Sequence, residues 1–178
     1  PIEGRSGGIV GFGARRADWV DPEGAKYLNS SESALYRKST VLYGLGPAKI
    51  DIRRRRQAWL VEGYLDVIAL HQAGLPYAVA ACGTALAKEH AEILRRMVDE
   101  VVTFYDGDQA GRAATYKAAQ LLMAQGLRVR VVDLPQGEDP DSYVRTKGVE
   151  SVEKLVDQAP SAGDFFVARA RTSIAGGG

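Results

Sequence analysis

The sequence predicts an α/β fold in which a mainly parallel four-stranded sheet carries helices on both faces and follows a small mixed α+β lobe. From Gln57 onward, apolar runs of strand length alternate three times with helical segments, and a fourth strand closes the series. Strands joined through helices form parallel sheets that are covered on both faces. Before Gln57 the chain is rich in glycine and turn-forming residues, which favours a loop-rich lobe.

The lobe is expected to hold only short elements. Residues 7–16 contain glycines within a short strand, 18–24 form a turn, and 26–33 are irregular. A short helix is expected at 47–56, because the glycine before it breaks the preceding segment.

The regular part of the chain alternates strand-length segments with helical segments. The four strands are predicted at 58–61, 77–82, 100–105 and 128–134. Helices are predicted at 62–74, 83–97, 109–126, 141–147, 149–158 and 160–172. Gly74 and Gly126 close the first and third of these helices, as glycine commonly does.

Length and composition limit the classes of protein that are possible. The 178 residues suit one domain, or one domain with an appendage. No run approaches the roughly 18 apolar residues that cross a bilayer, and no signal peptide opens the chain. The first residue is not Met, which is typical of a fragment. The single Cys82 excludes an internal disulfide and a multi-cysteine zinc site, and it fits a reducing cytosol.

The net charge of +1 conceals an asymmetry along the chain. Residues 1–56 hold eleven basic and six acidic residues, a net charge of +5, whereas residues 57–178 have a net charge of −4. A basic front suggests a bound polyanion, and an acidic back suggests a metal-binding carboxylate cluster. The plain alternative is a solvated charged surface.

Acidic residues follow three of the four predicted strands. They are Glu62 and Asp66 after the first strand, Asp106 and Asp108 after the third, and Asp139 and Asp141, with Glu138, after the fourth. Because the carboxyl ends of parallel strands meet at one edge, where ligands of such sheets bind, we expect these carboxylates to converge there. Hard oxygen ligands without His or Cys suit Mg²⁺ or Mn²⁺. Such a site fits phosphoryl or nucleotidyl transfer.

Each acidic group also has a simpler interpretation. Asp108 could be the N-cap of the helix that begins at Gln109. Residues 137–141 could be an ordinary turn. Gly83 and Thr84 could offer backbone N–H groups at a helix start to a phosphate, or could form a plain strand-to-helix turn.

Basic residues and histidines have comparable alternatives. The arginine run 53–56 could contact nucleic acid or end a solvated helix. Arg112 could pair with a carboxylate or with a phosphate. His71 and His90 lie in helical stretches and are interpreted as surface or packing residues.

The segments VEGYLDVIAL, ACGTAL, FYDGDQAGRAA and LPQGEDPDSYV together resemble the Toprim fold of bacterial DnaG-type primases. The Toprim signature is a glutamate after one strand and a DxD after a later strand, which Glu62, Asp106 and Asp108 match. The segments GIVGFGARR, KYLNSSES and YRKSTVLYGL are similar to the amino-terminal subdomain of the primase catalytic core. A bare Toprim signature does not separate primases from topoisomerases, RecR-like repair proteins or small nucleases, whereas these front-lobe segments do.

The resemblance implies a division of the chain and a role for each matching residue. Residues 1–56 would be a partial, basic amino-terminal subdomain, 57–147 the Toprim domain, and 148–178 the start of a truncated helical subdomain. Glu62 would act in metal-assisted catalysis, with Asp106 and Asp108 beside it. The divalent ions, two or more of Mg²⁺ or Mn²⁺, would be held by Glu62, Asp66, Asp106, Asp108, Asp139 and Asp141. Nucleotide and template would contact Arg15, Lys26, Lys38, Gly83, Thr84 and Arg112.

The resemblance further implies a function. The intact protein would synthesise short RNA primers on single-stranded DNA from ribonucleoside triphosphates, in the bacterial cytoplasm at the replication fork. Its partners would be replicative helicase and single-strand-binding protein, with no membrane and no zinc in this fragment. The parts that would lie outside residues 1–178 make the isolated piece weakly active or inactive. The alternatives are another Toprim protein, such as a metal-dependent nuclease or a topoisomerase fragment, and a non-catalytic Toprim-like binding module.

Overall fold

The computed structural model describes residues 1–17, 19, 23 and 27–175. The turn expected at 18–24 lies largely outside these residues. The described residues form nine strands and seven α-helices. The strands are Ile2–Glu3 (β1), Ile9–Gly11 (β2), Gly13–Arg15 (β3), Tyr27–Asn29 (β4), Leu42–Tyr43 (β5), Gln57–Val61 (β6), Ala78–Ala81 (β7), Glu100–Thr103 (β8) and Arg128–Val131 (β9). The helices are Leu45–Arg55 (α1), Tyr64–Gln72 (α2), Lys88–Arg95 (α3), Gln109–Ala124 (α4), Pro140–Lys147 (α5), Val149–Gln158 (α6) and Ala162–Ala175 (α7), with a 3-10 turn at Lys38–Thr40.

The central sheet has the strand order β5-β7-β6-β8-β9. The four predicted strands, β6 to β9, pair in parallel, which confirms the predicted α/β class. The predicted number of strands is wrong by one, since β5 pairs antiparallel with β7 at the edge. Two residues are too few to show the alternation of apolar and polar positions that marks a strand in a sequence.

The front lobe contains two short antiparallel pairs, β1 with β2 and β3 with β4. Tyr27–Asn29, which were expected to be irregular, form β4 because they pair residue by residue with β3. The lobe meets the central sheet through an apolar cluster of Ile2, Tyr36, Val41 and Cys82.

Helices cover both faces of the sheet, as predicted. Every residue of β6 is buried, and alternate residues point to opposite faces. Ala58 and Leu60 pack with α1, α3, α4 and α7, whereas Trp59 and Val61 pack with α2, α5 and α6. A strand buried on both faces explains why this segment is continuously apolar in the sequence.

Five of the seven helix starts in the described part of the chain differ from the predicted positions, and the structure gives a local cause for two of them. The first helix begins at Leu45, because Gly44 adopts a left-handed conformation (φ 80°) and its carbonyl accepts from the N–H of Ala48. The third helix begins at Lys88, five residues after its predicted start. The N–H of Ala87 is satisfied there by the His90 side chain.

Elements on both sides of the predicted Toprim domain, residues 57–147, pack against the central sheet. β5 and α1 precede residue 57 and yet belong to the central sheet and its core, as α6 and α7 do after residue 147. The boundaries at 56 and 147 stay predictions. None of the helices in the described part of the chain combines the length and apolar character that a bilayer span requires.

Candidate functional site

The parallel strands end at one edge of the sheet, and the predicted acidic residues lie in the segments that follow these ends. We call this edge the acidic edge. It carries Glu62, Asp66, Asp106, Asp108, Asp139 and Asp141. The structure brings three of these side chains within electrostatic range of one another, because the charges of Asp106 and Asp139 both act on Asp66.

Asp66 is the buried member of the acidic edge. Only 8% of its surface is exposed, and its Oδ2 accepts a 2.9 Å hydrogen bond from the N–H of Gly63. Burial foremost, with the negative charges of Asp106 and Asp139, raises the pKa of Asp66 to about 7, against the opposing hydrogen bonds from backbone N–H groups. A nearby cation would stabilise the ionised form of such a buried carboxyl.

Two glycines fix the loop after β8 and the first turn of α4. A Cβ on Gly107 would lie 2.0 Å from the carbonyl oxygen of Pro135, and a Cβ on Gly111 would lie 2.3 Å from that of Asp106. No side chain fits at either position. The N–H of Gly107 also donates to the carbonyl of Glu138 at 2.9 Å. The loops that follow β8 and β9 are therefore held together, which brings Asp106 towards Asp139.

Two of the acidic residues cap helices. Asp108 Oδ1 accepts from the N–H of Gly111 at 2.7 Å and begins α4, which confirms the capping interpretation of Asp108. Asp139 Oδ1 accepts from the N–H of Ser142 at 2.6 Å and begins α5. Each cap uses one carboxylate oxygen, so capping and a second role are compatible in both residues.

Glu62 and Asp141 lie at the margins of the acidic edge. The exposed Glu62 follows β6, and its charge adds to the effect of burial in raising the pKa of Tyr105 well above its ordinary value. This interaction places Glu62 next to the segment that carries Asp106. The side chain of Asp141 forms an ion pair with Arg145 one turn along α5, whereas its backbone N–H points to Asp66.

Within the described part of the chain, the residues predicted to contact nucleotide lie in separate elements. Lys38 begins the 3-10 turn and is half-buried. Arg15 in β3 is exposed and lines a small cavity with Tyr27, Tyr43 and Tyr64. Arg112 donates from Nη1 to the carbonyl of Gly107 at 2.7 Å, so it supports the loop after β8. Lys26 lies outside the described residues.

Gly83 and Thr84 do not stand at a helix start, so the structure favours the second interpretation, a plain strand-to-helix turn. They lie in the loop before α3, and the N–H of Gly83 donates to the carbonyl of Ala81 at 2.9 Å. Gly83 has a left-handed backbone (φ 67°), and a Cβ there would lie 2.5 Å from Nδ2 of Asn29. The glycine therefore makes room for a side chain of the front lobe.

Sequence reasoning missed the residues that join the lobe to the acidic edge. Asn29 accepts from the hydroxyl of Tyr64 at 2.9 Å, and its Nδ2 donates to the carbonyl of Cys82 at 3.4 Å. His90 in α3 reaches the carbonyl of Lys38 at 2.7 Å. The only signal in the sequence is position: Asn29 lies in the lobe segment KYLNSSES, and Tyr64 directly follows Glu62 and Gly63.

The donor set of the acidic edge fits a hard divalent cation. Among the described residues, no three His, Cys, Asp or Glu side chains stand close enough together to hold a metal ion by themselves. Mg²⁺ requires no such cluster, since it usually keeps several waters and takes one or two carboxylates, with phosphates completing its shell. Oxygen donors alone, and carboxylates close enough to raise the pKa of Asp66, are the chemistry that such an ion balances.

Comparison with known proteins agrees with the fold. Residues 59–144 match the family described as Toprim-like. The sheet with its acidic edge thus defines a Toprim-like domain. Residues 1–49 match the family described as the N-terminal domain of the DNA primase catalytic core.

Individual relatives give the same result over almost the whole chain. The DNA primase of Myxococcus xanthus is 45% identical over 162 residues, which cover 89% of this chain and 26% of the relative. The crystal structure of the Aquifex aeolicus primase, with its zinc-binding and RNA polymerase domains, is similar with a TM-score of 0.90 and 37% identity, over 98% of this chain and 43% of that one. A DnaG primase catalytic domain bound to single-stranded DNA is similar with a TM-score of 0.85 and 38% identity, over 95% of this chain and 53% of that one.

The chain belongs to the bacterial DnaG-type DNA primase family, which confirms the resemblance seen in the sequence. It spans about a quarter of the length of the curated relative from Myxococcus xanthus.

Proposed function

We propose that this chain is the central part of a primase catalytic core that makes short RNA primers on single-stranded DNA for DNA replication. The observation that carries the proposal is the acidic edge itself. Buried Asp66 lies within range of Asp106 and Asp139, and a lobe of net charge +5 over residues 1–56 is hydrogen-bonded to the same edge through Asn29. Acidic residues for a cation and basic residues for phosphates are what nucleotidyl transfer requires.

In the proposed reaction a 3′ oxygen bonds to the α-phosphorus of a ribonucleoside triphosphate. The bond from that phosphorus to the bridging oxygen breaks, and pyrophosphate leaves. A bound Mg²⁺ or Mn²⁺, in one or more sites, would activate the attacking hydroxyl and neutralise phosphate charge. The residues proposed to hold it are Glu62, Asp66, Asp106, Asp108, Asp139 and Asp141.

Other residues of this chain are proposed to shape the loop after β8 and to contact phosphates. Gly107 and Gly111 allow the loop after β8 to pack closely enough to present Asp106 and Asp108. Lys38 and Arg15, with Lys26, would contact the triphosphate and the template backbone. Binding through phosphates is largely independent of sequence and weakens as salt rises.

The proposed partners follow from the family. They are single-stranded DNA, ribonucleoside triphosphates and the RNA primer, and in the whole protein a replicative helicase and a single-strand-binding protein. The similarity to a DnaG catalytic domain bound to single-stranded DNA supports the first of these.

The central experiment measures primer synthesis by a full-length protein that carries this segment. Glu62→Gln keeps the size of the side chain and removes its charge, and we expect synthesis to fall by about 100-fold or more while the melting temperature stays close to wild type. Glu150→Gln, an exposed residue on α6, is the matched control and should retain activity. Full synthesis by Glu62→Gln would contradict the catalytic assignment.

The same assays discriminate the other candidates. A metal-dependent nuclease would cut DNA with Mn²⁺ and ignore nucleotides, and a topoisomerase fragment would need a catalytic tyrosine on another domain. A non-catalytic binding module is favoured by one observation, since Asp108 and Asp139 already cap helices and Asp141 is paired with Arg145. Such a module would bind single-stranded DNA equally well with and without divalent ions.

A further inference from the structure

A fully buried histidine links the Toprim helix α3 to the basic front lobe. His90 is 0% exposed, and its Nδ1 accepts a 3.1 Å hydrogen bond from the N–H of Ala87. Its Nε2 lies 2.7 Å from the carbonyl oxygen of Lys38. Because Nδ1 accepts, the ring proton lies on Nε2, which donates to Lys38. One neutral tautomer therefore satisfies both bonds.

The backbone of Lys38 is held from two sides. Its N–H donates to Oε1 of Glu32 at 3.0 Å within the lobe, and its carbonyl accepts from His90 on the sheet side. Because the backbone is held, the position of the Lys38 ammonium varies only through rotation of the side chain.

The ammonium of Lys38 stands near the end of β7. Burial raises the pKa of the Cys82 thiol, and the positive charge of Lys38 is among the influences that oppose this rise. Cys82 directly follows β7, at the edge where the parallel strands end. The ammonium of Lys38 therefore lies within electrostatic range of the end of β7, at the edge where the parallel strands end.

We propose that His90 is a positioning residue, whose hydrogen bond to the Lys38 carbonyl fixes where the Lys38 ammonium meets phosphate beside the acidic edge. This inference rests on the proposed function, in which Lys38 contacts nucleotide or template. His90 itself touches neither of them, since it is buried beneath the turn that it holds.

The simpler role of His90 is to cap α3, and the geometry separates the two roles. Capping uses Nδ1, whereas the hydrogen bond from α3 to the front lobe uses Nε2. An asparagine places its Oδ1 at the position of Nδ1 and cannot reach Lys38. A glutamine places its Nε2 amide near the position of the ring Nε2 and gives up the cap. His90→Asn and His90→Gln therefore remove one bond each.

The test measures binding of a single-stranded oligothymidylate by fluorescence anisotropy at several salt concentrations. It uses a full-length protein that carries this segment. Lys38→Ala should lower the slope of log K against log salt by about 0.7, the value for one lost phosphate contact on a single strand. His90→Asn should lower the slope towards that of Lys38→Ala. His90→Gln should keep the wild-type slope despite a lower melting temperature. A purely capping role does not produce this pattern, because it leaves the slope of the cap-retaining His90→Asn unchanged.

A double-mutant cycle completes the experiment. When Lys38 is already alanine, His90→Asn should not change the slope further, because the two substitutions remove the same contact. A wild-type slope for His90→Asn beside a reduced slope for Lys38→Ala would overturn the positioning role and leave the proposed function intact. Equal losses in His90→Asn and His90→Gln would also overturn it. An unchanged slope for Lys38→Ala would contradict the Lys38 contact in the proposed function, and the positioning role with it.

Discussion

The hydroxyl of Tyr64 donates a 2.9 Å hydrogen bond to Oδ1 of Asn29, across 35 positions in sequence. Tyr64 is the first residue of α2 and lies two positions after Glu62, whereas Asn29 ends β4 of the front lobe. The amide of Asn29 also donates to the carbonyl of Cys82 after β7. One side chain of the lobe thus spans the ends of two neighbouring strands and sets the distance between the basic residues and the acidic edge.

Removal of the Tyr64 hydroxyl tests this junction. Tyr64→Phe keeps the ring contacts with Tyr27 and Tyr43 but leaves Oδ1 of Asn29 without its donor. We expect a loss of about 1–2 kcal/mol in the free energy of unfolding, measured by urea titration. In a double-mutant cycle, Asn29→Ala and Tyr64→Phe should show a non-additive effect, since they remove the same bond.

Tyr77→Phe is the matched control for this substitution. The Tyr77 ring packs against Trp59 at 5.2 Å, and its hydroxyl donates to no side chain or carbonyl in the described part of the chain. The change should stay within about 0.5 kcal/mol. Equal losses in the two variants would mean that the bond to Asn29 contributes nothing specific.

Gly107→Ala should disrupt the acidic edge through a steric clash. Its Cβ would lie 2.0 Å from a backbone oxygen of Pro135, so one of the two loops must move. We expect a destabilisation of about 2–3 kcal/mol, and loss of the proposed primer synthesis in a full-length protein that carries this segment. Gly163→Ala is the control, because the nearest atom to its Cβ is 3.8 Å away and alanine is favoured within a helix. Full activity of Gly107→Ala would show that the loops tolerate separation.

Asp66 predicts a pH dependence of stability. Its pKa is about 7 in the folded protein and near 4 in the unfolded chain, so the folded state binds more protons between these values. Its contribution to stability is therefore fully present below pH 4 and is lost as pH rises through 7. Three pKa units correspond to about 4 kcal/mol, an upper limit for this effect.

The variant Asp66→Asn isolates this contribution, because all other titrating groups remain. Relative to wild type, its melting temperature in chelator should rise between pH 5 and pH 8, by about 2–4 °C for each kcal/mol. Mn²⁺ at pH 8 should stabilise the wild type more than the variant. A difference between the two proteins that stays constant with pH would contradict the burial and repulsion inferred for Asp66.

Metal binding should depend on Asp106. Calorimetry with Mn²⁺ is expected to show binding to the wild type and at least about tenfold weaker binding to Asp106→Asn, as its neutral amide is a poorer ligand for a hard cation. Asp51→Asn on α1, where Asp51 pairs with Arg54, is the control and should bind as wild type. Unchanged affinity in Asp106→Asn would favour the non-catalytic binding module.

The sequence by itself determined the central sheet and the composition of the acidic edge. The parallel strands β6, β7 and β8 are buried almost throughout, which produces apolar runs that are visible without a structure, whereas the edge strand β9 alternates arginine with buried valine. Since the rule that strand ends meet at one edge is topological, it places Asp66, Asp106 and Asp139 near one another from their spacing alone. The capping role of Asp108 also follows from local sequence.

Tertiary structure alone decided how the front lobe meets that edge. β5 is too short to leave a pattern, and β4 becomes a strand only because β3 lies beside it. The hydrogen bonds from Tyr64 to Asn29 and from His90 to Lys38 join residues 35 and 52 positions apart. A single polar side chain carries no periodic signal, and its partner is chosen by the distance between packed elements. The sequence therefore names the acidic and basic residues, whereas only the packed chain fixes the separation between them.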